Sequence, residues 1–351
     1  MKKLLIALLC CGFLAAISVT GCKPDSSNNV KPDSSNIISF KVPEGWPKPV
    51  YTFQNNALSQ AGFELGRKFF YDVRMSRDNT ISCGSCHQQF AAFAHLDHDL
   101  SHGINGLFGT RNSPGLDNAA FRPAFFWDGG VNNLENQPQN PIENPVEMDI
   151  KLADLITKLN TLEDYKPLVQ KAYGQTTITS QILFRALAQF MAAMVSSNSK
   201  YDKYMRGEEG GAMSAQELHG LTVFRANCEG CHKEPLFTDY AYKNNGLAVN
   251  LKLNDSGRAH ITALPEDRNK FLTPSLRNVD LSRPYMHDGR FNSLDAVVEH
   301  YRTGITQSTT LDPLLKNGIA MSDQDKADIV AFLKTLSDYT FTKDKRFADP
   351  N

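Results

Sequence analysis

The chain has no excess charge: Lys+Arg 37 stand against Asp+Glu 38 in 351 residues. A protein that grips nucleic acid or an anionic membrane surface needs a basic surplus, so both kinds of electrostatic partner are excluded. Unpaired cysteine is missing from the body of the chain. Cys10, Cys11 and Cys22 lie near the N-terminus, and the other four form two pairs, Cys83/Cys86 and Cys228/Cys231. Apolar side chains are nearly absent just after Cys22, where KPDSSNNVKPDSSN repeats a polar unit with Val30 as its one apolar member. A segment of that composition cannot bury itself and reads as a flexible tether. Before it, Lys2 and Lys3 lead into an apolar run, Leu4 to Val19, and then Thr20-Gly21-Cys22, the layout of a secretory signal. That ending is similar to a bacterial lipobox, which predicts a lipid on Cys22 and a membrane-surface anchor. Cleavage of a plain signal peptide nearby is the simpler alternative. Residues 1–21 are therefore read as the signal peptide and 22–42 as a lipidated polar tether.

Each remaining cysteine pair is spaced C-x-x-C and followed directly by histidine, as Cys83-Gly-Ser-Cys86-His87 and Cys228-Glu-Gly-Cys231-His232. This is the c-type haem attachment pattern, twice. Two thiols must reach the two vinyl groups of one porphyrin while the next residue sets an imidazole under the iron. Zinc bound by paired cysteines, or a pair of redox disulfides, needs neither histidine. The spacing predicts two covalent haems.

The surroundings of the two motifs also match. Leu58, Leu65 and Phe69 mark a helix over Ala57 to Asp72 ahead of Cys83; Ser214 and Glu217 form a capping box that opens a helix through Leu218, Leu221 and Phe224 ahead of Cys228. Downstream, at a constant offset of 160, SPGLDN…FFWDGGVNNLE aligns with TPSLRN…YMHDGRFNSLD, with Trp127 opposite His287. The chain is expected to be all-α, two tandem cytochrome c-like haem domains at 43–205 and 206–351. A helix over Ser180 to Ser197 carries Leu183, Leu187, Phe190 and Met194, and the polar NSKYDKYMRGEEGG stretch follows as the boundary.

The duplication exposes a difference. In SLDAVVEHYR, Ser293 is a good N-cap and Leu294, Val297, Val298 and Tyr301 fall on one buried stripe, with His300 about 100° around the helix. Either His300 or Tyr301 could bind a metal, although a lone inner-face tyrosine is ordinarily a core residue. The position equivalent to Tyr301 in the first half is Pro141, and proline cannot ligate iron. If Tyr301 closes the second haem, the first is open, and an open iron activates small molecules whereas a closed one passes electrons. Near Pro141 stand Gln137 and Glu147 in LENQPQNPIENPVEM, a loop whose Asn and Pro content alone would mark both as surface residues. Beside an open iron the carboxylate could move a proton between the two peroxide oxygens, with the amide holding the peroxide.

Together GRKFFYD, ISCGSCH, GTRNSP, FFWDGG, LENQ, PIENPVEM, CEGCH, TPSLRN and PYMHDGRF resemble the bacterial dihaem cytochrome c peroxidase family, which includes the methylamine-utilisation protein MauG. The resemblance extends from about Leu65 to the C-terminus. It implies His87 and His232 as proximal ligands, Glu147 and Gln137 as the catalytic pocket, and Trp127 as the aromatic relay between haems. It also implies a calcium ion between the haems at Asn112 and the carbonyls of Ser282 and Pro284. At the second iron ordinary members have methionine, and MauG-like members have tyrosine at the position of Tyr301; His300 and Met286 are the alternatives here. His102, in LSHGING, falls near a histidine that closes the first haem in ordinary peroxidases, although the loop before Arg111 is two residues longer. His95 and His98 read as solvated loop residues.

The leading expectation is a peroxidase that reduces hydrogen peroxide to water with electrons from a small exported cytochrome or copper protein. MauG-like oxidation of side chains on a partner protein is the second reading. A dihaem electron carrier without catalysis is the third, and the Gln137/Glu147 pocket argues against it because a carrier needs both irons closed. The protein is expected on the periplasmic side of a bacterial membrane, touching that membrane only through the lipid at Cys22.

Overall fold

The computed structural model describes residues 38–350; the signal, Cys22 and most of the tether lie outside the described residues. The longer helices are α1 (Gln60–Tyr71), α2 (Leu152–Asn160), α3 (Lys166–Tyr173), α4 (Ser180–Ala192), α5 (Lys200–Arg206), α6 (Ala215–Asn227), α7 (Leu294–Thr303) and α8 (Asp323–Lys334). The architecture is mostly helical. The departure from all-α is one antiparallel pair of two-residue strands, β1 (Tyr242–Lys243) on β2 (Phe271–Leu272), in the loop between α6 and α7. Among the described residues no helix is long and apolar enough to cross a membrane.

Two helix crossings repeat. α1 packs on α4 where Gly66 meets Ala186: a Cβ there would lie 1.9 Å from the Ala186 carbonyl oxygen and 3.0 Å from the Cβ of Phe190. α6 packs on α8 in the same way, with a Cβ on Gly220 falling 1.9 Å from the Asp328 oxygen and 2.9 Å from the Cβ of Phe332. Only glycine allows backbones this close. Aromatic side chains then fill each core, Phe69, Phe70, Phe93 and Phe190 in the first half and Phe224, Phe237 and Phe332 in the second.

The loops repeat as well. Asn118 and Asn278 both sit at φ 59, each ahead of a 3-10 turn, Ala119–Phe121 and Val279–Leu281. The bridges Phe125–Val131 and Tyr285–Phe291 also correspond. The two asparagines meet at one point. Asn118 Oδ1 accepts from the Ser196 N–H, while Asn278 Nδ2 donates to the Ser196 hydroxyl.

That junction explains where the sequence expectation for α4 ran long. The apolar period continues to Met194, but the helix ends at Ala192 because the Met194 carbonyl and the Ser196 N–H are taken by Asn118. Similarly, α1 begins at Gln60 rather than Ala57, since Ser59 is the cap and accepts from the Gly62 N–H. The polar stretch expected as a boundary is ordered structure: Ser199 and Asp202 form a capping box that opens α5, and Gly207 ends it in the left-handed region. Tyr201 of α5 lies in the second core.

Asp202 holds Arg277 by a bidentate pair, 2.9 and 2.8 Å, with the Arg277 side chain fully buried and its guanidinium 4.3 Å from the Trp46 ring centroid. Removing one partner strands a buried charge. Asp202→Ala is expected to destabilise the holoprotein by about 3–5 kcal/mol, and adding Arg277→Met should restore part of the loss. Thermal or denaturant unfolding checks both; an unchanged midpoint in the single variant would refute the assignment.

Candidate functional site

Each C-x-x-C-H segment forms one helical turn. The His87 N–H donates to the Cys83 carbonyl at 2.9 Å and the His232 N–H to the Cys228 carbonyl at 2.9 Å. Three-residue spacing on such a turn brings both thiols to one face. Cys83, Cys86 and His87 line one cavity of about 2400 Å³ including its mouth; Cys228, Cys231 and His232 line another of about 1570 Å³. Burial pushes the Cys83 and Cys228 thiols up to about 12 and Cys86 to about 11. All three are neutral thiols at physiological pH.

The histidines are oriented by carbonyls. His87 Nδ1 lies 2.8 Å from the Phe93 oxygen and His232 Nδ1 3.1 Å from the Phe237 oxygen. A carbonyl can only accept, so in each ring Nδ1 carries the proton and Nε2 has its lone pair free. Burial lowers both pKa values, His87 to about 4, which keeps the rings neutral. Two thiols and a free imidazole lone pair that face one shared cavity fit a haem in each half.

The two cavities differ on their other walls. In the second, Tyr301 lines the wall with Val297 and Met286, so the inner stripe of α7 faces the cavity. Burial pushes Tyr301 up to about 12 against a hydrogen bond from the Asn245 amide, which favours the phenolate. The same amide donates to Met286 Sδ at 3.4 Å. His300, about 100° around the helix, is buried but does not line the cavity, and its Nε2 lies 2.9 Å from the Asn245 carbonyl oxygen. Nothing in the sequence marks Asn245, although its polar groups engage Tyr301, His300 and Met286.

In the first cavity the wall carries Pro141, Gln137 and Glu147. The Met148 N–H donates to the Pro141 carbonyl, and the Glu147 carbonyl accepts from the Ile104 N–H, so the loop folds Glu147 inward beside Pro141. Glu147 Oε1 accepts from Asn144 Nδ2 at 3.0 Å. Burial raises its carboxyl above the ordinary value. Neither Gln137 nor Glu147 is fully solvent-exposed, as a loop of that composition implied.

Trp127 lines both cavities. Its indole N–H donates to the Asn112 carbonyl at 2.9 Å, and the Asn112 N–H donates to the carbonyl of His287, the repeat partner of Trp127, at 2.8 Å. Asn112 Nδ2 reaches the carbonyls of His98 and Asp99. This leaves Asn112 one side-chain oxygen, and Asn112, Ser282 and Pro284 lie along the second cavity. His102 lines the first cavity, and its ring packs with those of His95 and His98. His95 corrects the expectation of a solvated loop residue: it is only 2% exposed. The cause is tertiary, because the loop folds back and stacks His98 on it at 4.0 Å.

Two cavities, each with a C-x-x-C-H turn, one also lined by a carboxyl and an amide and the other by a tyrosine, fit the class of dihaem oxidoreductases. Residues 60–210 match the family model for di-haem cytochrome c peroxidase. The methylamine utilization protein MauG of Methylorubrum extorquens is 32% identical over 343 residues, covering 94% of this chain and 93% of that one. The cytochrome c551 peroxidase of Nitrosomonas europaea is 32% identical over 279 residues, 78% and 79% of the two chains. Among solved structures, a MauG-like protein associated with microbial copper homeostasis superposes with a TM-score of 0.82 at 30% identity, covering 89% of this chain and 99% of that one. The chain belongs to the dihaem cytochrome c peroxidase and MauG family. It is an oxidoreductase of the dihaem peroxidase class.

Haem content is directly countable. Purified protein is expected to hold two haem irons per chain, and Cys83→Ala with Cys86→Ala to lose the one that survives denaturation in the first half while retaining the other. Metal analysis and haem staining check this, and zinc in place of iron would overturn the fit.

Proposed function

We propose that the chain reduces hydrogen peroxide to water at a haem attached to Cys83 and Cys86 and ligated by His87. Cys228, Cys231, His232 and Tyr301 would hold a second haem, which would supply an electron-accepting centre for a small exported cytochrome or copper protein. The halves act as two tandem cytochrome c-like domains, 43–205 and 206–351, a reading supported by the mirrored glycine crossings and loops. The observation that carries the proposal is the asymmetry of the walls: Pro141, Gln137 and Glu147 in one cavity, Tyr301 in the other.

When bound, ferric haem supplies an electrophilic iron and a reservoir of electrons for breaking an O–O bond. The protein supplies the proton chemistry. With Oε1 of Glu147 tied to Asn144, Oε2 is the atom that takes a proton from one peroxide oxygen and returns it to the other. The Gln137 amide orients the peroxide. The Trp127 indole, fixed by Asn112 and bordering both cavities, serves as the path for electrons. Asn112 Oδ1 with the carbonyls of Ser282 and Pro284 would give a calcium ion three oxygens and leave the rest to water. Export to the periplasmic side and a lipid anchor at Cys22 complete the reading.

MauG-like oxidation of a partner protein's side chains is favoured by one feature, Tyr301 on the wall of the cavity that Cys228, Cys231 and His232 also line, where its phenolate would hold the iron of a bound haem. An anionic phenolate stabilises high iron oxidation states, whereas methionine favours Fe(II).

Glu147→Gln is expected to keep both haems and lower peroxide turnover by about 10²-fold or more. The raised carboxyl pKa gives the wild-type rate an acid limb, lost as pH falls through a midpoint above the ordinary 4.5, and the glutamine variant should lack that limb. Unchanged steady-state turnover with a reduced donor would remove Glu147 from the reaction. Trp127→Phe should instead spare the reaction with peroxide and slow re-reduction, which stopped-flow absorbance separates.

For Tyr301 the readout is spectroscopic. The diferric protein should show one low-spin His/Tyr iron by magnetic circular dichroism or resonance Raman, and Tyr301→His should keep that iron six-coordinate while raising its potential, since a neutral donor replaces an anion. Methionine or bis-histidine ligation in the unmutated protein would contradict the assignment and argue against partner-protein oxidation.

A further inference from the structure

Three imidazoles converge beside the first haem cavity. His95 and His98 stack at 4.0 Å between ring centroids and 15° between planes, and His102 lies 4.8 Å from each. Their ligand-capable nitrogens all fall within 4.8 Å of one another, with no carboxylate or thiol in the group. His95 is 2% exposed, and its Nδ1 is buried without a hydrogen-bond partner. Native proteins rarely leave a buried polar atom without a partner, and such an atom calls for an explanation.

The other rings are set up in a way that suggests a use for that lone pair. His98 Nδ1 lies 2.9 Å from the Leu96 carbonyl and must carry the proton, which leaves Nε2 as a free donor; this is the outer-sphere bond that fixes the tautomer of a metal-bound histidine. Burial and the two neighbouring imidazoles hold His95 down at about 4, so it is a neutral donor at physiological pH. The segment is pinned from both sides. Asn112 Nδ2 holds the carbonyls of His98 and Asp99, and Arg283 of the second half pairs with Asp97 at 2.9 Å.

We propose that His95, His98 and His102 form a further metal centre, distinct from the two haem irons and from the calcium position, that binds a borderline first-row cation, Zn²⁺ or a copper ion. Three neutral nitrogens without an oxygen donor suit these ions and discriminate against Ca²⁺ and Mg²⁺, which need carboxylate or carbonyl oxygens. At metal–nitrogen bonds of about 2.0–2.1 Å, tetrahedral ligands stand roughly 3.3 Å apart, so on binding the His98 ring turns off the face of His95 to bring its lone pair onto the shared ion. His98 is at the surface, and the fourth position opens to solvent. In this arrangement the His102 imidazole is committed to the new centre and does not close the first haem.

The test uses the dihaem holoprotein after treatment with a chelator. Zn²⁺, Cu²⁺ and Ca²⁺ are titrated separately by calorimetry, and metal per chain is measured after gel filtration. One equivalent of Zn²⁺ or Cu²⁺ beyond the two irons is expected, with Ca²⁺ failing to compete. Cu²⁺ bound there should show nitrogen hyperfine structure in its paramagnetic resonance spectrum. His98→Ala, at an exposed position, should leave the haem spectrum unchanged and weaken binding more than about tenfold, since even losing an outer-sphere partner typically costs 10–100-fold. His95→Phe combined with His98→Ala should abolish it. Absence of binding at roughly 100 μM metal, a concentration that saturates any three-ligand site of ordinary affinity, would overturn the proposal. So would binding that His98→Ala leaves unchanged. Peroxide turnover is not read in this experiment, so its outcome is independent of the haem assignment.

Discussion

Two carbonyl oxygens, those of Phe93 and Phe237, decide what the rest of the molecule can do. By accepting from Nδ1 of His87 and His232 they turn the other nitrogen of each ring, lone pair outward, to its cavity. Had either ring chosen the other tautomer, the cavity would meet an N–H, and the two thiols beside it would have no iron to serve. The Phe93 and Phe237 side chains are themselves fully buried in the two cores. The orientation of each proximal ligand therefore depends on the packing of its half, and the helix crossings at Gly66 and Gly220 allow that packing.

On this common frame the halves diverge at one loop. α7 carries Tyr301 into the second cavity, while the equivalent stretch of the first half is a short helix, Gln139–Glu143, that ends at Asn144 and is followed by the turn that folds Glu147 inward. The long helix presents its inner stripe to the wall, whereas the short one leaves Gln137 before it and Glu147 after it to supply an amide and a carboxyl together. The chemical difference between the cavities is thus a difference of backbone, with Trp127 and Asn112 bridging the two. Asn112 links Trp127, His287 and the His98 segment by three of its polar groups, so the path between cavities and the histidine cluster share one support.

The charge economy of the interior follows the same logic. Buried thiols and imidazoles are kept neutral, ready for a metal, and the buried Arg277 is matched by the Asp202 carboxylate. Glu147 is the exception among the cavity residues: a carboxyl pushed up by burial and held by a single amide, which is the condition under which it can both take and give a proton.

The sequence by itself determined the two C-x-x-C-H turns, the repeat of motifs at a spacing of 160, the caps at Ser214 and Ser293, and the inward face of Tyr301. These are local or periodic properties, carried by residues a few positions apart. The end of α4 at Ala192, the packing of α5 from the polar stretch at 198–211 into the second core, the burial of His300 and His95, and the role of Asn245 were decided by the folded chain. Each depends on a hydrogen bond or ring contact between the residue and a partner that helical or loop periodicity does not reveal: Asn118 for Ser196, Arg277 for Asp202, the Asn245 carbonyl for His300, and the stacked ring of His98 for His95. Periodicity shows which face of an element is apolar, but only the folded chain shows which polar group a distant asparagine or arginine will claim.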